Sequence, residues 1–587
     1  MSQGSANGIN GWLYTPNELA SHIPSTFFVR LINWEFTPMG RLTSRRGLEP
    51  VRYYTYTPTD SSIEGSKCLV KVSGAAENNV DEYMPDIQTV TLELFGDSLV
   101  FAGPNAGSFY VLPFSITSQG NSKLYEYIAK DINDSLVGGN ERGGFHIYNG
   151  KCVFWNGYGT YQTFARTINE AGFTRLDNDV LPLEDQTIIG ATTFENRLVV
   201  VTLQGYLMWS QPDWDGVSIW QDSEGNAINY IQLSTDPGEI IEFIQGFRGG
   251  IIVSTRTTAN VSGRILNIPT LDPSAIEVID TGVDSYFTKN AVISSTDQLV
   301  GISPQGVINV SYDSLSRTAK AEFSTSAPII EYLSEIFEND SVSSYLDAHL
   351  DTKNRKGYFT HDWSTNGERN SKILVYDYNS DKWSLFKTEL PIQRVFQMYE
   401  TLCGAGWVRR GSDLFLGIWS FSDYPYDVSF TIEEATAEDG STIYYRDEDT
   451  DNRYKKTFIT GVLNTSKNDP GTVPGTHKLP LQVLMSTTDP ADYKMLLRSF
   501  SNTTWKGSLN DSKMIQMSEV SDIEKWSIGD DDDNNGRWDL AHKIHACYQR
   551  YIATLPNPGL FYQLMFESDA PTNFQIHSIL RDEATKM

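Results

Sequence analysis

The chain has 587 residues, 40% of them hydrophobic and 12% aromatic. That is too long for a single core and too apolar for a disordered polymer, so a few domains or a repeat array are expected. A formal net charge of −28 excludes a basic face that grips phosphates, because non-specific affinity for nucleic acid comes from Lys and Arg neutralising the backbone.

Residues 1–60 read as an N-terminal arm and contact segment. MSQGSANGIN has neither the basic start nor the apolar run of a secretory signal, and no apolar stretch of about 18 residues follows, so synthesis in the cytoplasm and no membrane span are expected. Pro16, Pro24 and Pro38 favour extended chain. Arg41, Arg45 and Arg46 then crowd six residues of an acidic chain. They are candidates for a contact to an adjacent subunit or ring, against a plainer reading as a solvated turn whose arginines pair with carboxylates of this chain or a neighbour.

Residues 61–424 are periodic. The clearest unit is IIGATTFENRLVVVTLQGYLMWSQPDW, residues 188–214, in which polar turns at Glu195-Asn196-Arg197 and Gln204-Gly205 bracket an apolar strand. An apolar position follows a polar turn at Leu99, Cys152, Leu198, Ile251 and Leu299, at intervals of 53, 46, 53 and 48 residues, and Lys356 and Leu414 continue the series less regularly. Repeats of this length with about four short strands each are the signature of β-propeller blades, which must pack radially because one blade cannot cover both its faces. The fold class expected is all-β, with a propeller core of about six blades, or seven if one is completed by strands from both ends of the array. One helical pattern interrupts the strands, since Ile329, Tyr332, Leu333, Ile336 and Phe337 share a face at helical spacing behind Pro328.

Residues 425–587 change character and read as a β-rich region with long loops. Residues 434–453 and 527–539 are acidic, and 465–480 are rich in Pro, Gly, Thr and Asn. Strand-like runs lie at 479–485, 494–500 and 559–566, the last opening a sandwich-like pair of strands.

Chemistry-bearing motifs are sparse. Cys68, Cys152, Cys403 and Cys547 share no CxxC spacing and read as reduced, buried thiols. Of the eight histidines only His542 and His545 are close. There is no GxSxG, no phosphate-binding GxxxxGK[ST], no GxGxxG after a strand and no sialidase-type Asp box. The best metal candidate is Asp531-x-Asp533-x-Asn535-Gly536 with Asp539 in ninth position, the first half of a calcium loop, but His542 stands where a bidentate Glu should close it. Asp447, Asp449 and Asp451 form a second acidic string that also lacks its closing Glu. Solvated acidic loops are the commoner use of such strings, so no catalytic residue and no cofactor are expected. Carboxylates paired only by the fold are invisible at this level.

Several of these segments, taken in order, resemble one family. LINWEFTPMGRLTSRRGLEPV, ENRLVVVTLQGYLMWSQPDW, IIEFIQGFRGGIIVSTRTTANVSG, TDQLVGISPQGVINVS, ILVYDYNSDKWSLF and GLFYQLMFESDAPTNFQIHSI are similar to stretches of the tail nozzle or tail hub proteins of short-tailed bacteriophages, also called tail tubular or DNA-stabilisation proteins. The resemblance implies a structural virion protein rather than an enzyme. It implies a homohexamer beneath the portal and its adaptor ring, with a channel that holds and then passes double-stranded DNA, a platform for tail fibres or tailspikes, and a location in the virion tail near the host cell surface. Asp530, Asp531, Asp532 and Asp533, with Asp447, Asp449 and Asp451, are then candidates for the channel wall, since a conduit for a polyanion needs walls that do not bind it. The alternative class is a glycan-binding or glycan-cleaving propeller, in which Trp155, Trp209, Trp214 and Trp383 at blade ends stack on sugars instead of packing between blades.

Overall fold

The computed structural model describes residues 27–36, 41–51, most of 186–460 and 561–581, and elsewhere the strands named below. Turn chemistry sets the local structure. Glu195 and Asn196 adopt φ of 48° and 56°, and Asn149 and Gly150 adopt 45° and 71°. Two consecutive residues at positive φ make the tight turn whose twist matches a β-hairpin, and here they join Phe194 to Arg197 and Tyr148 to Lys151.

Such hairpins build seven successive antiparallel units of four strands, of which five are separate four-stranded sheets, the sixth opens an eleven-stranded sheet and the seventh lies in a five-stranded one. Blade one is Leu92–Phe95, Ser98–Ala102, Ser108–Pro113 and Tyr125–Ile128; blade two is Gly144–Tyr148, Lys151–Trp155, Tyr161–Arg166 and Phe173–Leu176. Blade three is Ile188–Phe194, Arg197–Thr202, Tyr206–Trp209 and Tyr230–Gln232, and blade four is Glu239–Phe247, Gly250–Thr257, Gly263–Ile268 and Ile279–Asp284. Blade five is Val292–Ser294, Gln298–Ser303, Gly306–Asp313 and Thr318–Phe323; blade six is Asp347–Asp351, Lys356–His361, Ser371–Asp377 and Lys382–Thr388. Blade seven takes Arg394–Met398, Thr401–Arg410 and Asp413–Ser422 from the array and its fourth strand, Gly47–Pro50, from near the N-terminus. Leu92, Leu99 and Phe101 of blade one share a core with Trp407 and Leu414 of blade seven, the Phe101 and Trp407 rings lying 6.5 Å apart. The ring is therefore closed: the chain is an all-β protein built on a seven-bladed propeller, one blade more than the working number of six.

The apolar runs are explained by burial on both faces. Successive strand residues point to opposite sides, so Leu198 and Val200 pack with Tyr148, Val153 and Trp155 of blade two, while Val199 and Val201 pack with Ile241, Ile251 and Val253 of blade four. Full burial of each such side chain stabilises the ring by about 1.5–3 kcal/mol. Leu99, Cys152, Leu198, Ile251, Leu299 and Lys356 all fall in second strands, as the period requires, but Leu414 lies in the third strand of blade seven. The helix, Ile330–Glu338, sits between blades five and six and buries Ile329, Leu333 and Ile336, as its spacing predicts.

A β-sandwich adjoins blade six. One sheet orders Phe27–Ile32, Lys456–Thr460, Phe561–Ser568, Lys494–Phe500 and Lys513–Gln516; the other orders Trp34–Phe36, Leu42–Ser44, Phe574–Arg581, Leu481–Thr487, Cys547–Ala553 and Ser518–Val520. Between them Trp34 meets Phe458 and Phe566 edge-on at 5.6 and 5.3 Å. Asn33, at φ 63°, is the corner where the chain leaves the first sheet and enters the second, a conformation Asn tolerates better than most residues. Phe27–Ile32, Trp34–Phe36 and Leu42–Ser44 are thus strands of the sandwich and Gly47–Pro50 a strand of blade seven, where an extended arm was expected. For the same reason 425–587 is not self-contained.

Candidate functional site

The strongest electrostatic feature joins these parts. Arg45 is 1% exposed, and all five of its guanidinium hydrogens are used. Nε donates to Asn33 Oδ1 at 2.9 Å, Nη1 to the Arg46 carbonyl and Asp427 Oδ1 at 2.8 Å each, and Nη2 to Asp427 Oδ2 at 2.6 Å and the Lys387 carbonyl at 3.1 Å. The Tyr454 ring covers the guanidinium at 3.7 Å, and the Tyr454 hydroxyl donates to the Arg45 carbonyl. Burial pulls the guanidinium pKa down, but the Asp427 carboxylate more than offsets this and leaves it raised. One side chain therefore ties the N-terminal strands to blade six and to the start of the next hairpin. The expectation that Arg45 contacts another subunit is corrected, because its donors are satisfied within its own chain. Arg46 Nη2 donates to the Tyr358 hydroxyl at 3.4 Å, and both Arg46 and Arg41 keep partial exposure.

A second cluster lies on the first strands of blades one, six and seven. Arg394 Nη1 is 3.6 Å from Asp347 Oδ1, and Glu93 and His349 share its field. Asp347 Oδ2, His349 Nε2 and Arg394 Nε are buried without a hydrogen-bond partner. Burial pushes Asp347 up to about 7, with Arg394 opposing and Glu93 adding, and burial pulls His349 down to about 4. On blades two and three, His146 Nε2 and Thr193 Oγ1 are 2.7 Å apart, and burial holds this imidazole at about 4 as well. Two neutral imidazoles and a carboxyl that titrates near neutrality result. Among the described residues no group of three His, Cys, Asp or Glu is arranged to hold a metal ion.

The third feature is acidic. Asp427–Thr436 and Thr442–Asn452 form a long hairpin, not a loop, and Asp447, Asp449 and Asp451 are exposed on its second strand. Trp419 of blade seven fixes the hairpin, donating from Nε1 to the Val428 carbonyl at 3.1 Å and stacking on Phe430 at 5.7 Å. A register shift between Phe430 and Ile432 alters the alternation of facing residues. Arg446 and Asp449, three residues apart, thereby come within 3.5 Å, Nε to Oδ1. Between hairpin and blade seven is a cavity of about 500 Å³ whose lining includes Glu49, Tyr424, Tyr426, Arg446, Asp449 and Asp451.

The remaining candidates fall elsewhere. Asp530, Asp531, Asp532 and Asp533, and the half-loop Asp531, Asp533, Asn535 and Asp539, lie outside the described residues. Trp155, Trp209, Trp214 and Trp383 are all buried, so they pack between elements and present no ring to a sugar. The Trp209–Trp214 stretch is tied to its own hairpin and to blade two: Ser210 Oγ accepts from the Leu198 amide, and the Trp214 amide donates to the Tyr148 hydroxyl of blade two. Cys152 and Cys403 are free, buried thiols. The Asp347–His349–Arg394 cluster and the cavity beside the hairpin escaped sequence reasoning because their members come from strands far apart in the chain.

No protein-family model matches this chain, and no curated protein does. Solved structures that align with it are the WD40 domain of Neurospora crassa Pan2 (12% identity, 60% of this chain and 94% of that one, TM-score 0.35) and Saccharomyces cerevisiae Sqt1 (10%, 64% and 93%, TM-score 0.36). A chain of the mitotic checkpoint complex aligns similarly (9%, 63% and 94%, TM-score 0.35). At these scores the alignments carry no weight of their own, and the propeller is assigned from the strand pairings.

Proposed function

We propose that the chain is the subunit of a homohexameric tail nozzle or hub of a short-tailed bacteriophage, seated below the portal and adaptor ring. In this reading it is walling, not a catalyst: it retains and then conducts double-stranded DNA, offers a platform to fibres or tailspikes, and resides in the virion tail. The observation that carries the reading is the hairpin with Asp447, Asp449 and Asp451 exposed in a row, in a chain of net charge −28. Such a surface repels a polyanion, and each added cation would create a phosphate contact and hence drag. The ordered resemblance to that family supports the same assignment. A ring of six would repeat one heterologous contact, to which the partly exposed Arg41 and Arg46 are suited.

The test is a charge reversal. In virions carrying the Asp447→Lys, Asp449→Lys, Asp451→Lys variant, genome release is expected to slow, and the purified variant should retard duplex DNA at low salt where the unaltered chain does not. Unchanged release, or retardation of DNA by the unaltered chain, overturns the proposal.

A further inference from the structure

We infer that the groove between blade seven and the acidic hairpin is a binding site for a neutral saccharide. The lining mixes acceptors and a donor around one space of about 500 Å³: Glu49, Asp449 and Asp451 supply carboxylates and Arg446 a guanidinium. Arg446 is only 6% exposed. It is fixed by donation from Nη1 to the Pro50 carbonyl at 3.2 Å, and its buried Nε makes no hydrogen bond, lying 3.5 Å from Asp449 Oδ1. Asp449 therefore balances the charge of Arg446 at ion-pair distance without a formed hydrogen bond, which leaves a loosely held charged pair on the groove wall whose polar atoms a ligand hydroxyl can engage.

The other side of the groove is aromatic. Tyr424 is 46% exposed, and its ring lies 5.5 Å from that of Tyr426 at 31°. The stretch carrying both rings is held rigidly, since the Gly47 amide donates to the Tyr424 carbonyl at 2.8 Å. A side chain on Gly47 would meet the Tyr426 and Tyr424 carbonyl oxygens at 2.1 and 2.4 Å, so glycine is what allows the strand of blade seven to approach this closely. The site is thus built before any ligand arrives.

Charge decides the ligand class. Three carboxylates against one guanidinium disfavour phosphates, nucleic acid and acidic sugars, while a simple cation would face Arg446 at the groove floor. A sugar hydroxyl both donates and accepts, so a neutral saccharide can donate to the carboxylates, accept from Arg446 and lay its apolar C–H face on the tyrosine rings. The site lies within a single chain and shares Asp449 and Asp451 with the proposed conduit wall, so the two proposals are told apart at Tyr424 and Arg446, which the conduit proposal does not use.

The experiment is a glycan array with the full chain, followed by titration calorimetry with the neutral oligosaccharides that score, with sialyllactose and spermidine as the acidic and cationic probes. Binding of at least one neutral oligosaccharide is expected, weakened about tenfold or more in Tyr424→Ala and Arg446→Gln and unchanged in Asp447→Asn, which lies outside the groove. Tyr424 is exposed, so its replacement keeps the test decisive even if Arg446→Gln fails to fold. An array without neutral glycans, binding confined to sialyllactose or spermidine, or equal affinity in Tyr424→Ala overturns the assignment.

Discussion

Replacing Arg45 by Met tests how the domains are joined. The side chain is 1% exposed and its partner carboxylate 2%, so removal leaves Asp427 charged and buried. Only the Thr388 hydroxyl and the Leu48 amide still donate to it. The Arg46 and Lys387 carbonyls also lose a donor. Stranding one member of a buried pair costs about 3–5 kcal/mol, whereas a surface pair is worth less than about 1 kcal/mol. A single unfolding free energy is poorly defined in a chain of several domains, so the readout is native-state hydrogen exchange of the strands that meet at Arg45, Gly47–Pro50 and Lys382–Thr388. At about 1.4 kcal/mol per factor of ten, opening there should become roughly 150-fold to 5,000-fold more frequent, and the Arg45→Met, Asp427→Leu double variant should recover most of the loss. A cost below about 1 kcal/mol in the single variant, or no recovery in the double one, refutes the reasoning.

Four further outcomes are expected. A Cβ at Gly406 would stand 1.4 Å from the Pro391 carbonyl oxygen, so Gly406→Ala should yield no soluble folded chain. Gly150→Ala meets no atom within 4 Å but keeps φ at +71° and should cost only about 1 kcal/mol by thermal melting. Asp347, held at about 7 in the fold by burial, binds its proton more tightly than when unfolded. Its contribution is therefore present at acid pH and lost as pH rises through about 7. Asp347→Asn should remove that slope from a plot of melting midpoint against pH, while the cost of charging His146 and His349 as pH falls toward about 4 remains. Burial raises the thiols of both Cys152 and Cys403, the latter to about 12, so mass spectrometry after maleimide treatment should find both unlabelled until denaturant is added.

The legible part of this fold was local. Polar turns such as Glu195-Asn196 and the apolar triplets behind them are fixed by backbone conformation and two-sided burial, both of which leave a periodic trace. The helix at residues 330–338 left its own trace at a different period. The N-terminal strands did not, because Phe27–Ile32 and Gly47–Pro50 acquire their identity from partners some 370 to 430 residues away, and no local pattern distinguishes a donated strand from an extended arm. The arginine cluster shows the same limit. Its residue types announced an anion, but only the register of distant strands makes that anion Asp427 of the same chain. The groove is further out of reach, since a register shift at residue 431 is what brings Arg446 and Asp449 to one side.

The most direct test of the account is negative-stain imaging of the purified chain across micromolar concentrations. Six-fold rings in which each subunit shows a propeller wheel are predicted. Single particles of one copy at every concentration, with no ring formed, would contradict the proposed role as the wall of a conduit.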